Sequence, residues 1–140
     1  MLYNYLIIRY KVFVIESERP IFKEFSKLDF CCNHYLLLSN TVAVGTVRLY
    51  YIDNTVELGR VAILADYRNK GYASLAISRL ISQIKTEGKT DFIRLFTKNK
   101  NIDFYKKFNF SEAGIRFFGD DPYPYMTMIL DLKYIFILAK

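Results

Sequence analysis

The sequence predicts an α/β fold in which helices flank a mixed central β-sheet. Two hydrophobic patterns alternate along the chain: apolar residues at helical spacing, and short apolar runs bounded by turn residues. The length of 140 residues, of which 52% are hydrophobic, fits one domain over residues 1–140 with one core. We found no internal repeat, linker or low-complexity stretch that would divide it.

The first helix is indicated by apolar residues that recur at helical spacing from Leu2 to Phe13. Pro20 lies just beyond this segment, and a proline cannot continue a helix, so the helix should end before it. We expect the chain from Ser17 to about Asn33 to be irregular.

Three consecutive strands are predicted next. His34 to Ser39 and Val42 to Ile52 are apolar runs on either side of a short turn, Asn40-Thr41, which is the pattern of a hairpin. Asp53-Asn54 is a second turn signal, and Thr55 to Leu64 is the third strand. Together they predict a meander.

The second half begins with a long amphipathic helix over Gly71 to Glu87, which Gly88 should end. Its apolar face comprises Ala73, Ala76, Ile77, Leu80, Ile81 and Ile84. The pattern then predicts a buried strand, a short helix that Asn109 can terminate, and two last strands. These elements are Asp91–Thr97, Asn101–Phe108, Glu112–Phe118 and Tyr125–Leu132.

The charge balance is basic, with 20 Lys and Arg against 14 Asp and Glu, a formal net charge of +6. Such a balance suits an anionic partner, for example a phosphorylated cofactor. Equally, Lys, Asn, Ile, Tyr and Phe are all abundant, and the charge could reflect that bias alone. Because the sequence contains no dense Lys/Arg run, we do not expect it to bind nucleic acid.

Neither end of the sequence has the pattern of a membrane span. Met1 to Ile15 is apolar but interrupted by polar and charged residues, and the tail from Tyr134 to Ala139 is too short to cross a bilayer. No membrane partner is therefore expected. The apolar extension over residues 133–140 is better explained as an added edge strand or an interface, which favours a homodimer.

Cys31 and Cys32 are the only cysteines, and they are adjacent. Neighbouring cysteines rarely pair, and two thiols without spaced His or Cys partners do not form a zinc site, so no metal is expected. The composition suits a reducing compartment, and we expect a cytoplasmic protein.

The most informative stretch runs from Glu57 to Ala73: a strand, a turn and the start of the long helix. Gly71 lets the backbone approach a ligand closely, and the small Ala73 keeps that approach open. Free N–H groups at the helix start would attract an anion such as a pyrophosphate, with Arg68 and Lys70 adding charge. Taken alone, the segment could also be an ordinary strand-to-helix connection.

The motif Arg68-x-x-Gly71-x-Ala73, after the strand Glu-Leu-Gly-Arg-Val-Ala-Ile, resembles the acetyl-CoA motif of the GNAT superfamily of N-acetyltransferases. Asp103 to Phe110 is similar to the family's FYxxxGF segment, with Asn109 in place of Gly. Arg9 to Glu16 resembles the RxxVFVxE opening helix of a small branch of predicted acyltransferases, and Val44 to Leu49 its third strand. The resemblance spans about residues 9 to 131.

Three departures from the family pattern stand out. The family carries a strand before its first helix, whereas this sequence starts almost inside that helix, so the N-terminal strand is expected to be shortened or missing. Gly59 replaces the acidic residue that precedes Arg-Val-Ala-Val in the branch, and Asp121 to Tyr125 replaces its Gly-Ile-Pro-His segment. The acceptor is therefore expected to differ.

The resemblance implies acetyl-CoA as co-substrate and assigns roles to residues that match the family motifs. The pantetheine arm should contact Val61, Ala62 and Ile63. The turn and helix start should surround the pyrophosphate, and a residue past the next strand, Asn99 or Lys98, should also touch the cofactor. The residues expected around the pyrophosphate are Arg68, Asn69, Lys70, Gly71, Tyr72, Ala73 and Ser74.

Two side chains are candidates for the acid–base chemistry. The resemblance implies Glu57 as the base that deprotonates the amine, and strand alternation would place residues 57, 59, 61 and 63 on one face. Tyr105 is the implied acid that protonates the departing thiolate. Alternatively, Glu57 is a solvated carboxylate at a hairpin end, a water chain is the base, and Tyr105 is an aromatic core residue.

The acceptor is the least determined part. Asp120 and Asp121 could hold an ammonium group and Arg48 an anionic group, although a solvated turn and a surface charge explain them equally well. We expect a small-molecule amine, with an amino-sugar phosphate such as glucosamine 6-phosphate as the leading candidate. A protein lysine, a protein N-terminus or a polyamine is the alternative acceptor, and a non-catalytic acyl-CoA-binding module is the alternative function.

Overall fold

The structure, a computed structural model, describes residues 3–119 and 121–133. They form an α/β fold with a mixed six-stranded sheet in the order β1-β2-β3-β4-β6-β5, which confirms the predicted fold class. The strands are β1 (Asn33–Ser39), β2 (Val42–Ile52), β3 (Thr55–Ile63), β4 (Phe92–Thr97), β5 (Ser111–Arg116) and β6 (Tyr125–Asp131). The α-helices are α1 (Asn4–Arg9), α2 (Ile21–Glu24), α3 (Tyr72–Glu87) and α4 (Ile102–Lys106).

The first helix continues from α1 as a π-helix over Tyr10–Glu16, so the predicted helix is present but changes its winding after Arg9. In the part of the chain that the structure describes, only Tyr3 precedes α1, so the expectation of a shortened or missing N-terminal strand stays a prediction. The expectation that residues 17–33 are irregular is wrong in part. It contains α2 and a 3₁₀-helix over Lys27–Cys31, whose start is fixed by a capping box between Ser26 and Asp29.

The first of two compact units comprises Met1–Tyr50 and Leu58–Ser82. Here β1 and β2 form the predicted antiparallel hairpin, in which Asn40 adopts a positive φ of 57°. The strands approach so closely at Gly45 that a Cβ there would lie 2.6 Å from Ile63 Cδ1 and 2.8 Å from the Ala62 carbonyl oxygen. Ile77, on the apolar face of α3, lies in this unit and is fully buried.

The second unit comprises Tyr51–Glu57 and Gln83–Lys140. A short parallel ladder joins the start of β3 to β4 over three pairs, from Thr55↔Phe92 to Glu57↔Arg94. β6 runs antiparallel to β4 over six pairs and to β5 on its other side, and β5 is exposed along its length. The predicted tail over residues 134–140 lies outside the described residues.

No helix within residues 3–119 and 121–133 has the length and hydrophobicity needed to cross a membrane.

Candidate active site

The connection from β3 to α3 leaves several backbone donors without a partner inside the helix. Asn69 and Gly71 both have positive φ, 60° and 83°, and α3 begins at Tyr72. The first helical bond here runs from the Leu75 N–H to the Gly71 carbonyl at 3.0 Å. The N–H groups of residues 72–74 therefore have no acceptor within the helix, and the positive end of the helix dipole lies at the same place.

The space around this turn is open. No atom lies within 4 Å of the position that a Cβ on Gly71 would occupy. Gly71, Lys70 and Ser74 are exposed, and the Lys70 ammonium lies 5.6 Å from the centre of the Tyr67 ring. The turn can therefore accept a bulky anion against its backbone, with one lysine free to move toward it.

The Arg68 side chain is not free for an anion. Its guanidinium makes a two-fold ion pair with Glu16 at the end of the first helix, with Nη2–Oε1 at 2.7 Å, and its Nε donates to the Ile63 carbonyl at 2.9 Å. The ion pair with Glu16 raises the pKa of Arg68. A carboxylate thus already compensates the charge of Arg68, and the expectation that Arg68 adds charge for an anion at the rim stays a prediction.

The strand before the turn presents its backbone rather than its side chains. Ala62 and Ile63 are buried, whereas Val61 is half-buried. Among the described residues, the ladder with β4 includes β3 only as far as Glu57. Apart from the Ile63 carbonyl, which accepts from Arg68, the N–H and C=O groups of residues 61–63 that do not face β2 are therefore available to a ligand.

Glu57 lies in the second unit and pairs with Arg94. Arg94 Nη2 lies 3.3 Å from Glu57 Oε2, and the Glu57 side chain is 28% exposed. The expected common face of residues 57, 59, 61 and 63 does not follow from this backbone. Arg60 has a φ of 49°, and a left-handed residue interrupts the two-residue alternation of a strand.

Tyr105 lies in α4 of the second unit and is 8% exposed. Its ring contacts Phe104 and Phe110 edge-on, with centroids 5.0 and 5.9 Å away. Burial raises the pKa of the Tyr105 phenol to about 12. The phenol therefore stays protonated at neutral pH and can act as a hydrogen-bond donor.

A buried set of ion pairs in the first unit was missed by the sequence analysis. This set, the arginine cluster, consists of Arg9, Arg19, Glu24, Asp29, Arg48 and Arg60. Arg9 is completely buried and donates to Glu24 Oε2 and Asp29 Oδ1, both at 2.7 Å. The available signal was Arg9 itself, a charge between the buried apolar residues Ile8 and Val12 of the first helix.

Two pKa shifts follow from the arginine cluster. Burial would raise the pKa of Asp29, but hydrogen bonds from Arg9, the Ser26 backbone and Arg48 outweigh it and lower the value to about 2. Burial lowers the pKa of Arg60 to about 10, and three neighbouring arginines act in the same direction while Glu24 opposes them. Arg60 still carries a full charge at neutral pH.

The remaining candidates have local roles or lie apart. Asp121 Oδ1 accepts a hydrogen bond from the Tyr123 backbone at 2.9 Å, as expected of a turn, and Asp120 lies outside the described residues. Asn99 is exposed at the start of a 3₁₀-helix after β4. His34 Nε2 bonds the Asp29 carbonyl oxygen at 2.8 Å and stacks on Tyr5, which is a structural role.

Comparison with known proteins identifies the class. The sequence model of the Acetyltransferase (GNAT) family matches residues 1–110. A protein of Bacillus subtilis (strain 168) named "Putative acetyltransferase" is 33% identical over 124 residues, which cover 86% of this chain and 84% of that protein. The chain therefore belongs to the GNAT family and is an acyltransferase.

Solved structures agree with this fold. An acyl-CoA N-acyltransferase from Pseudomonas aeruginosa superposes with a TM-score of 0.78 at 22% identity, covering 91% of this chain and 88% of that one. A GNAT family acetyltransferase from Elizabethkingia anophelis, crystallised with acetyl-CoA bound, gives a TM-score of 0.64 at 17% identity. This superposition covers 73% of this chain and 77% of the Elizabethkingia anophelis protein. Both comparisons support the same α/β fold.

Proposed function

We propose that this protein transfers an acetyl group from acetyl-CoA to a primary amine of a small molecule. The observation that carries the proposal is the β3–α3 turn, where free N–H groups, the helix dipole and an open face at Gly71 meet. These features fit a pyrophosphate. The bound acetyl-CoA of the Elizabethkingia anophelis relative supports the same cofactor here.

The pantetheine arm and the pyrophosphate of the cofactor have candidate partners in the first unit, and one further candidate, Asn99, belongs to the second unit. Residues 61–63 offer backbone groups to the amides of the pantetheine arm. Asn69 to Ser74 surround the pyrophosphate with backbone donors, and Lys70 supplies a mobile charge. Arg68 acts indirectly, because its bonds to Glu16 and Ile63 hold the turn in place. Asn99 stays a candidate contact on the strength of the family motif alone.

The chemistry requires three proton movements. When bound, acetyl-CoA supplies the thioester whose carbonyl carbon accepts the amine. Glu57, or a water chain that ends on it, takes a proton from the ammonium so that its lone pair can form the C–N bond. The C–S bond then breaks, Tyr105 donates a proton to the thiolate sulfur, and the amide nitrogen gives up its second proton, which restores the Tyr105 phenol directly or through solvent.

The environments of Glu57 and Tyr105 suit these roles. The Glu57 side chain is 28% exposed, so its carboxylate can be reached by a small amine or by a water molecule. Tyr105 is held as a neutral phenol, so it always has a proton to donate. With acceptor and cofactor at saturation, Glu57→Gln should lower kcat about a hundredfold while leaving the Kd of acetyl-CoA within about twofold.

The leading acceptor is an amino-sugar phosphate such as glucosamine 6-phosphate. The net charge of +6 and the surplus of arginines in the first unit favour an acceptor with an anionic group. The same surplus disfavours a polyamine, which would bring further cations. A protein lysine or N-terminus remains the alternative acceptor, and it would show itself as peptide acetylation.

The decisive experiment measures acetyl-CoA consumption as free thiol against a panel of amines. The panel pairs glucosamine 6-phosphate with glucosamine, and adds spermidine and a lysine peptide. Turnover of the phosphorylated sugar at least about tenfold above its unphosphorylated form would support the proposal. If calorimetry detects no acetyl-CoA binding at all, the proposal is wrong.

A further inference from the structure

The arginine cluster holds more cations than anions. Four guanidinium groups meet two carboxylates, so two positive charges lack an opposite charge among the described residues of the cluster. Removing a charge from water costs several kcal/mol when it has no counter-ion. A surplus of this kind is the arrangement expected of a site that receives an anion.

The surplus is not evenly spread over the cluster. Arg9 is completely buried, and its Nε, Nη1 and Nη2 all donate hydrogen bonds to Glu24 or Asp29. None of these three nitrogens is therefore left for a ligand. Arg9 therefore has a structural role: it ties the first helix to the segment that follows it. The groups with donors to spare are the other arginines.

Arg48 and Arg60 each make one contact with a carboxylate. Arg48 Nη1 lies 2.9 Å from Asp29 Oδ1, and Arg60 Nε lies 3.1 Å from Glu24 Oε2. No other acceptor for the terminal nitrogens of Arg60 is found in the part of the chain that the structure describes. The Arg48 side chain is 11% exposed and the Arg60 side chain is 24% exposed, so their terminal nitrogens can reach a ligand from solvent. Guanidinium groups with free paired donors match the geometry of carboxylate and phosphate oxygens.

The backbone of Arg60 provides a second, independent observation. Its φ of 49° within β3 is a backbone conformation that residues other than glycine adopt at a cost of about 1–3 kcal/mol. Such strain persists only where the surrounding structure holds it, and strained residues are frequent at functional sites. The residue also directly precedes Val61, the start of the segment proposed to hold the pantetheine arm.

We infer that Arg60 and Arg48, with Arg19 at the rim, form a subsite for an oxyanion carried by the acceptor, a carboxylate or a phosphate group. The acceptor assignment rests on the proposed function, whereas the anion site itself does not. An anion bound at Arg60 lies beside the strand segment proposed for pantetheine and would anchor the acceptor there. The carboxylates of Glu24 and Asp29 do not contact the anion themselves; they hold the arginines in position for it.

The test uses the full chain without acetyl-CoA. Thermal unfolding is followed while inorganic phosphate, or acetate in a parallel series, replaces chloride at constant ionic strength. At ten times its Kd, the preferred anion should raise Tm by about 5 °C. Arg60→Gln should weaken binding of that anion at least about tenfold. The matched control is Arg79→Gln, which removes the same charge from an exposed position on α3 and should keep the full shift.

A second readout separates a ligand-binding arginine from a structural one. Without the anion, Arg60→Gln should change Tm by less than about 3 °C, because the repulsion removed from Arg9, Arg19 and Arg48 offsets the lost ion pair with Glu24. A Tm lower by more than about 3 °C would make Arg60 structural and overturn the inference. An equal anion-induced shift in Arg60→Gln and the parent, or no shift in either, would overturn it as well.

The amine panel then separates the subsite from the proposed function. If an anion binds through Arg60 but no amine is acetylated, the subsite stands and the proposed function fails. If amines are acetylated with the same kcat/KM in Arg60→Gln, and neither anion binds, the subsite fails and the proposed function stands. Preference for phosphate over acetate identifies the acceptor group as a phosphate, and the reverse identifies a carboxylate.

Discussion

Arg68 in the β3–α3 turn is bound to Glu16 at the end of the first helix by a two-fold ion pair, 52 residues apart in the chain. The same guanidinium also donates to the Ile63 carbonyl. One arginine thus connects three parts of the first unit: the opening helix, the strand proposed for pantetheine and the turn proposed for pyrophosphate. We therefore propose that Arg68 and Glu16 position the turn.

The ion pair leads to a prediction about cofactor binding. Glu16→Gln and Arg68→Gln should each weaken the binding of coenzyme A about threefold to tenfold, because either change releases the turn. The double variant should bind no more weakly than Arg68→Gln alone, since both act through one interaction. Calorimetry on the parent protein, the two single variants and the double variant measures the Kd of coenzyme A. Should Glu16→Gln bind normally while Arg68→Gln does not, Arg68 contacts the cofactor directly.

The buried phenol of Tyr105 leads to a prediction about turnover and pH. Tyr105→Phe should lower kcat about a hundredfold while the free energy of unfolding changes by less than about 1 kcal/mol. Because the pKa of Tyr105 is raised to about 12, its ionisation should not reduce kcat below about pH 11. The kcat profile against pH tests this, with Tyr123→Phe, 69% exposed, as the matched control. A Tyr105→Phe protein with the kcat of the parent would leave Tyr105 as a core residue only.

The carboxylate of Asp29 leads to a prediction about acid stability. Its folded pKa of about 2 is below the usual value of 3.8, so its stabilising contribution is fully present above about pH 4 and disappears as the pH falls through 2. Asp29→Asn should lower the free energy of unfolding at pH 7 by at least about 2 kcal/mol. It should also flatten the dependence of stability on pH between 4 and 2.

Urea unfolding at several pH values measures the effect of Asp29→Asn. Asp103→Asn is the control, because Asp103 is an exposed carboxylate of α4 outside the cluster. Equal acid sensitivity of the parent and Asp29→Asn would contradict the assignment.

The contact at Gly45 leads to a prediction about packing. A methyl group there would lie 2.6 Å from Ile63 Cδ1 and 2.8 Å from the Ala62 carbonyl oxygen, and the backbone oxygen cannot move aside cheaply. Gly45→Ala should therefore destabilise the protein by about 1–3 kcal/mol. Gly59→Ala is the control, since nothing lies within 4 Å of its added methyl, and it should change stability by less than about 0.5 kcal/mol. Similar denaturation midpoints for the two variants would refute the packing argument.

Several elements could be predicted because their causes are local. The hairpin around Asn40 follows from two apolar runs and a turn residue that tolerates a positive φ. The apolar face of α3 follows from residues at helical spacing, of which Ile77, Leu80 and Ile84 are buried. The β3–α3 turn, with its positive φ at Gly71, follows from a glycine placed between a strand and a helix.

Other features could not be predicted because their causes are distant in the chain. α2 lies in a segment without a clear period, and the buried ion pairs of Glu24 with Arg9 hold it across 15 residues. Similarly, nothing in the local pattern assigns Arg60 a left-handed backbone, so the expected alternation along β3 fails there.

The sequence by itself determined the α/β class, the order of the strands and of the long helix, and the position of the β3–α3 turn, because spacing and turn residues act over a few neighbours. Only the tertiary structure decided which charges are free. In the folded protein, Glu16 pairs with Arg68 and Arg94 pairs with Glu57, whereas the arginine cluster contains more cations than anions. Ion pairing depends on distances between residues far apart in the chain, and such distances exist only once the chain has folded.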